Sequence, residues 1–333
     1  MAAVWLLSLT AAAPLCARVS GQCANCHTVT KRLDGATAKL PLPGELDIPT
    51  VGSCLGCHSS SGSETIGWVG ACQVPIVCNG SPPDRPLAAG NFYWVGRGGD
   101  HDACGHNVLG VSTPDSRLAC PPGTDMDPST KGCSCHVSLA MDDPQDPEGL
   151  VNGCMGCHMN VRHHAPDPVT GVPAAEENGC YRFLSGHAPG PGLPPAGCEG
   201  IEDPTWEHDC TATSHNYYKG SLSISDPACV DHICCGCHTL FGTHQAGGQG
   251  WVRHPTEILL PTTGEFRRYD CVGAYNPEVP VGFLDPSAPS RNTAVVLCLT
   301  CHRAHGSPYP SMLRWSQTDL AVNQGCRVCH TNK

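Results

Sequence analysis

Apolar and polar residues follow one another in this chain with almost no sustained period. Few windows repeat at the spacing of an amphipathic helix or with the alternation of a half-buried strand. Proline- and glycine-rich segments interrupt them: SPPDRP (81–86), PDPVTGVP (166–173), HAPGPGLPPAG (187–197) and YNPEVPVGFLDPSAPS (275–290). Proline fixes φ and removes a backbone donor, so these stretches read as irregular loops. The pattern predicts a mostly irregular chain, with single-turn helices at short cysteine motifs and a few short strands. One apolar run stands apart, AAVWLLSLTAAAPL at residues 2–15. It has the length of an export signal and no acidic residue, and the small residues Ala17 and Gly21 offer cleavage points. Residues 1–21 are therefore expected to be a signal peptide. No Lys or Arg precedes the run, which leaves room for a start further upstream, and Cys16 after A-P-L is a poor lipoprotein context. No other stretch is expected to span a bilayer.

Composition sharpens this picture. The 333 residues include 38 Gly and 31 Pro, and aromatics make up only 5%. The apolar fraction is 40%, but it counts 25 cysteines. Such a chain needs something besides side chains in its interior, and covalent cofactors and disulfides are the usual staples. Abundant cysteine also points to metal binding or to an oxidising compartment. The formal net charge of −11 argues against nucleic acid and anionic membrane as partners.

The cysteines carry the chemistry. Six CxxC pairs occur: Cys23/Cys26, Cys54/Cys57, Cys154/Cys157, Cys234/Cys237, Cys298/Cys301 and Cys326/Cys329. Each is followed at once by histidine, namely His27, His58, His158, His238, His302 and His330. With 18 His in the chain, six successes out of six are not chance. Two intervening residues put both sulfurs on one turn and aim the next imidazole at a metal, the arrangement of a c-type haem attachment. Structural zinc is the competing reading, but it would not demand a histidine after every pair. A seventh site, Cys133-Ser134-Cys135-His136, departs from the spacing. It can attach haem through Cys135 alone, through Cys133 and Cys135, or with a distant cysteine such as Cys120; otherwise Cys133 and Cys135 belong to disulfides. At least six and about seven haems c are expected. About ten cysteines remain, an even number that suggests disulfides in an exported chain. Proximity suggests Cys72–Cys78 and Cys180–Cys198, although connectivity is not written in a sequence.

Each haem iron has a second axial position, and its occupant decides the chemistry. Eleven histidines lie outside the motifs, against six methionines, so bis-histidine ligation is favoured. The adjacent His163 and His164 can project to opposite sides and serve two haems. His305, just beyond His302, can reach a neighbouring haem but hardly its own.

The segments CLTCHRAHGSPYPSMLRW (298–315) and GCRVCHT (325–331) resemble the doubled-CXXCH part of multihaem cytochromes from metal-reducing bacteria. VSGQCANCHT (19–28), GNFYWV (90–95), GHNV (105–108), GCMGCHMNVRHHAP (153–166), GCYRFL (179–184), GIEDPTWE (200–207), HNYYKG (215–220) and WVRHPTEILLP (251–261) are similar to the same secreted family. The resemblance implies His106, His163, His164, His215, His254 and His305 as distal ligands, with His244 as the seventh. His101, His187, His208 and His232 are then spare, with surface or propionate-contacting roles. CHTVTKR after Cys26 lacks a second histidine, so the first haem would draw its distal ligand from elsewhere in the chain or from the next protomer.

The expected organisation is one multihaem domain over residues 22–333, wrapped round a haem chain. Haem pairs would lie near 23–58 and 133–158, a single site near 234–238, and the doubled part at 298–330. The implied function is extracellular respiratory electron transfer without enzymatic activity, by a secreted or cell-surface protein. Its partners would be other cytochromes, extracellular electron acceptors, or further copies of itself in a head-to-tail filament. The alternatives are a soluble periplasmic or surface carrier and a multihaem oxidoreductase with one open haem.

Overall fold

The structure, a computed structural model, describes residues 54–69, 72–95, 103–115, 121–122, 139–140, 153–158, 197–203, 205–238, 254–319, 321 and 324–331. Most of these residues are irregular, as the aperiodic sequence predicts. Four short helices all coincide with CxxC motifs: α1 (Cys54–His58), α2 (Val230–Cys237), α3 (Cys298–Cys301) and α4 (Cys326–Cys329). The motif at 154–158 sits on a 3-10 turn, Gly153–Gly156. Among the described residues no helix is long and apolar enough to cross a membrane.

Strands are short but more organised than the sequence pattern suggests. β1 (Ser59–Ser60) pairs in parallel with β4 (Cys78–Asn79), and β2 (Ile66–Val69) forms an antiparallel pair with β3 (Cys72–Pro75). The other five are β5 (Gly200–Ile201), β6 (Tyr217–Lys219), β7 (Ile258–Leu259), β8 (Gly282–Phe283) and β9 (Ala294–Val296). They form one mixed sheet in the order β5-β6-β8-β9-β7. β6 and β8 run parallel with Tyr218 opposite Gly282, while β8 and β9 run antiparallel with Phe283 opposite Ala294.

This sheet holds a true apolar core, so the expected need for something besides side chains in the interior does not extend here. Cys271, Val281, Phe283, Ala294 and Val295 are wholly buried, and Tyr269, Tyr275, Val279 and Trp315 lie close to that limit. Among the described residues no strand exceeds four residues, too few for alternation to register in a sequence window.

A polar clamp joins this core to residues 87–91. Arg303 is 4% exposed; its Nη1 donates to the Leu87 carbonyl at 2.5 Å and its Nη2 to Glu278 Oε2 at 2.6 Å. Arg314, also buried, donates to the carbonyls of Leu299 at 2.7 Å and Ala88 at 3.0 Å. Around them, His305 N donates to Ala89 O at 2.7 Å, Asn91 N to Gly306 O at 3.0 Å, and Ser307 N to Cys104 O at 2.8 Å. Gly90, at φ +82°, bridges to Gly306, whose carbonyl oxygen occupies the space a Cβ on residue 90 would need. Such a Cβ would also lie 2.9 Å from Arg303 Cβ. Gly90→Ala combines left-handed strain with a backbone clash, and is expected to cost about 2 kcal/mol or more in denaturant titration.

Candidate metal centres

The motif turns share one local geometry. The histidine N–H closes on the carbonyl of the first cysteine at 2.9 Å in 154–158, 2.9 Å in 234–238, 3.1 Å in 298–302 and 2.7 Å in 326–330. One helical turn separates the two sulfurs, so they share a face, and the histidine follows directly.

Distant parts of the chain then orient the imidazoles. His58 Nδ1 meets the Pro75 carbonyl at 2.8 Å, His238 Nδ1 that of Pro122 at 2.6 Å, and His302 Nδ1 that of Ser311 at 2.7 Å. His330 Nδ1 meets a side chain instead, Glu265 Oε1 at 3.1 Å. Non-motif histidines are held in the same way: His106 by Ala304 O at 2.7 Å, His215 by Asn216 O at 2.8 Å and His254 by Pro255 O at 3.1 Å. An Nδ1–H bonded to an oxygen fixes the tautomer and leaves Nε2 as a lone-pair donor, the usual state of a metal-ligating histidine.

Three motif rings face a non-motif ring. Centroid separations are 5.9 Å for His158 and His305, 6.2 Å for His238 and His106, and 6.1 Å for His330 and His254. Two imidazoles on opposite sides of one metal, each bonded through nitrogen at about 2 Å, place their centroids about 6 Å apart. The two imidazoles of each pair would therefore fit an iron held between them. When bound there, haem iron would supply one-electron chemistry.

Burial tunes these rings toward the neutral form that can ligate. It holds the His158 imidazole down at about 4, with His58 adding repulsion, and His305 at about 3, with repulsion from His158 and His106. His106 and His302 are lowered for the same main reason. Phe92 stacks on His305 at 4.7 Å and 25°, and Phe266 meets His330 edge-on at 5.1 Å.

The motifs neighbour one another in an order the sequence does not give. The Cys154 thiol hydrogen-bonds to Cys54 and holds it down at about 6, so motif 54–58 lies beside 154–158. Cys57 is expected as the second attachment point of the 54–58 haem. It is a half-buried thiol one turn further along α1, while the Cys54 thiol is exposed. The three-residue spacing alone puts Cys57 on the face of α1 that carries Cys54, so its place at a haem rests on the motif. Cys298 contacts Cys234 and Cys235, which joins 234–238 to 298–302. The fully buried Asp231 braces this second junction by accepting the Cys298 N–H at 2.9 Å. Cys301 in turn lies within electrostatic reach of Cys326 and Cys329.

Other expected residues fall differently. His215 is buried and lies flat against Tyr275, with ring centroids 3.5 Å apart and 4° between planes, and Tyr217 is 4.2 Å away. Among the described residues its ring contacts are with tyrosines rather than with a motif histidine. His232, counted as spare, is 2% exposed on α2, and its Nδ1 meets Ile224 O at 2.8 Å. Cys23, Cys26, His27, Cys120, Cys133, Cys135, His136, His163, His164, His187 and His244 lie outside the described residues, as do His101, Cys180 and the side chain of Cys72. The suggested Cys72–Cys78 and Cys180–Cys198 pairings are thus each described at one end only. Glu265 and Asp231 escaped sequence reasoning, since neither belongs to a motif and each acts on a site more than sixty residues away.

These turns and facing imidazoles define a protein that binds haem covalently at several points. Residues 289–333 match the sequence model of the doubled CXXCH motif family. The fold resembles that of the outer membrane cytochrome S filament from Geobacter sulfurreducens, with a TM-score of 0.52 and 20% identity over 89% of this chain and 84% of that one. No curated protein matches the sequence. The repeated motif turns and the matched doubled motif fit haem c as the cofactor, in a fold shared with a cytochrome filament.

Proposed function

We propose that this protein conducts electrons along about seven covalently bound haems, outside the cytoplasm, as the repeating subunit of a head-to-tail homopolymer. The three ring pairs near 6 Å carry the reading. Each joins a motif histidine to one from a remote part of the chain, and a closed bis-histidine iron suits electron transfer rather than substrate binding. In this reading Cys154, Cys157 and His158 hold a haem capped by His305. Cys234, Cys237 and His238 hold one capped by His106, and Cys326, Cys329 and His330 hold one capped by His254. Cys54, Cys57 and His58 attach a fourth, and Cys298, Cys301 and His302 a fifth. Cys23, Cys26 and His27, with Cys133, Cys135 and His136, take the remainder. His163, His164, His215 and His244 are the other distal candidates. Contacts between neighbouring motifs bring the haems close enough for exchange. The likeness to a cytochrome filament supports the assembly and the extracellular location.

Intact-mass analysis should give about seven haems per chain, and electron microscopy of the same sample should reveal filaments. A mass equal to the bare polypeptide would overturn the haem assignment, and a monodisperse monomer the filament.

Acid is expected to dismantle the centres. His158 and His305 have folded values of about 4 and about 3, below the ordinary histidine value. The unfolded or ligand-released state therefore takes up protons first as pH falls. Stability should decline from about pH 6.5 downward and level off near pH 3, with loss of the low-spin Soret spectrum. A low-spin spectrum that persists unchanged below that range counts against imidazole as the sixth ligand.

A further inference from the structure

We infer that Cys198 and Cys229 form a disulfide that ties α2 to the edge of the five-stranded sheet. Neither belongs to a CxxCH motif, so haem attachment leaves both available. Cys198 is 2% exposed and Cys229 1%, and they share one buried cluster with Tyr218, Val295 and Leu297. Backbone hydrogen bonds fasten the two segments on either side of Cys198: Gly197 N to Pro227 O and Glu199 N to Ala228 O, each 2.9 Å. The residue after Ala228 is Cys229, and its sulfur lies within electrostatic reach of that of Cys198.

Joining the two sulfurs is an oxidation. The two S–H bonds break, one S–S bond forms, and two protons and two electrons leave. The acceptor is an oxidant carrying its own disulfide, which is reduced to a dithiol through a mixed-disulfide intermediate. Burial, with Asp231 nearby, raises the Cys229 thiol far above its ordinary value. The exchange therefore belongs to folding, before the cluster closes, and the finished bond is shielded from reductants.

The position gives the bond a purpose. Cys229 is the cap residue immediately before α2, and α2 carries Cys234, Cys235 and Cys237. Cys229 also lies within electrostatic reach of Cys234. An unpaired thiol there could capture Cys234 as a disulfide and block thioether formation. Pairing with Cys198 removes that competitor and anchors the helix to β5.

The test is peptide mapping of the haem-loaded full-length protein, denatured in iodoacetamide without reductant. Trypsin cuts at Arg182 and Lys219, and an Asp/Glu-specific protease cuts at Glu199 and Asp231, so Cys180, Cys198, Cys210, Cys229 and Cys234 fall on separate peptides. The expected product is a Cys198–Cys229 linked peptide that reduction splits into two parts with a gain of about 2 Da in total. Alkylation of both cysteines before reduction, or linkage of Cys198 to Cys180 or of Cys229 to Cys234, would overturn the inference. In denatured Cys198→Ser protein, Cys229 should become alkylatable or move to Cys234, the competitor that Cys198 removes. Linkage of Cys229 to any other cysteine in that variant would overturn the inference. None of these readouts depends on whether the chain forms filaments or conducts.

Discussion

In a His305→Ala variant one haem is expected to become five-coordinate while the others stay closed. His305 faces His158 at 5.9 Å, and its ring is held by Phe92 on one side and by its own N–H to Ala89 O on the backbone. Alanine keeps the backbone contact and removes the imidazole. Because thioether bonds hold the porphyrin, the haem count by mass should not change. Paramagnetic resonance should show a new high-spin signal of about one haem per chain, with a matching fall in low-spin intensity. His305→Met should restore the low-spin state and raise one reduction potential by on the order of 0.1 V or more. An alanine variant with no high-spin signal would mean that another side chain caps this iron.

An Arg303→Met variant is expected to lose about 2–4 kcal/mol of stability. Arg303 is 4% exposed and donates to both Glu278 and the Leu87 carbonyl. Methionine fills much of the same volume, so the loss reports on the donors rather than on a cavity. The Glu278 side chain is 44% exposed, and water screens that half of the interaction. The larger share should therefore come from the buried Leu87 carbonyl, which would keep only the Gly90 N–H at 2.9 Å. Glu278→Gln, by contrast, should cost less than about 1 kcal/mol. Guanidinium titration of the two variants gives the comparison, and equal losses would assign the energy to the ion pair instead. The clamp also sets His305, so the Met variant should broaden the spectrum of the haem at 154–158 even under conditions where the chain stays folded.

Much of the site was legible in the sequence because its chemistry is local. Two cysteines and a histidine within five positions fit on one helical turn, and the four described helices coincide with these motifs. His106, His254 and His305 were named on resemblance to a family, and each now faces a motif ring. Which of them faces which motif was not legible. His305 stands three residues beyond His302 yet meets His158, because the clamp at residues 87–91 carries it there. The five-stranded sheet was equally hidden, since its strands of two or three residues carry no period.

From the residues alone came the cofactor class, the positions of the CxxCH motifs, the predominance of coil and the poverty of aromatic side chains. All of these are set by contacts within a few positions or by composition. The partners of the rings, the neighbours of the motifs, the carbonyls that orient each imidazole and the meeting of Cys198 with Cys229 came only from the tertiary structure. A ligand pair is fixed by where two remote backbones cross in space, and glycines, prolines and buried arginines set those crossings without a periodic trace in the chain.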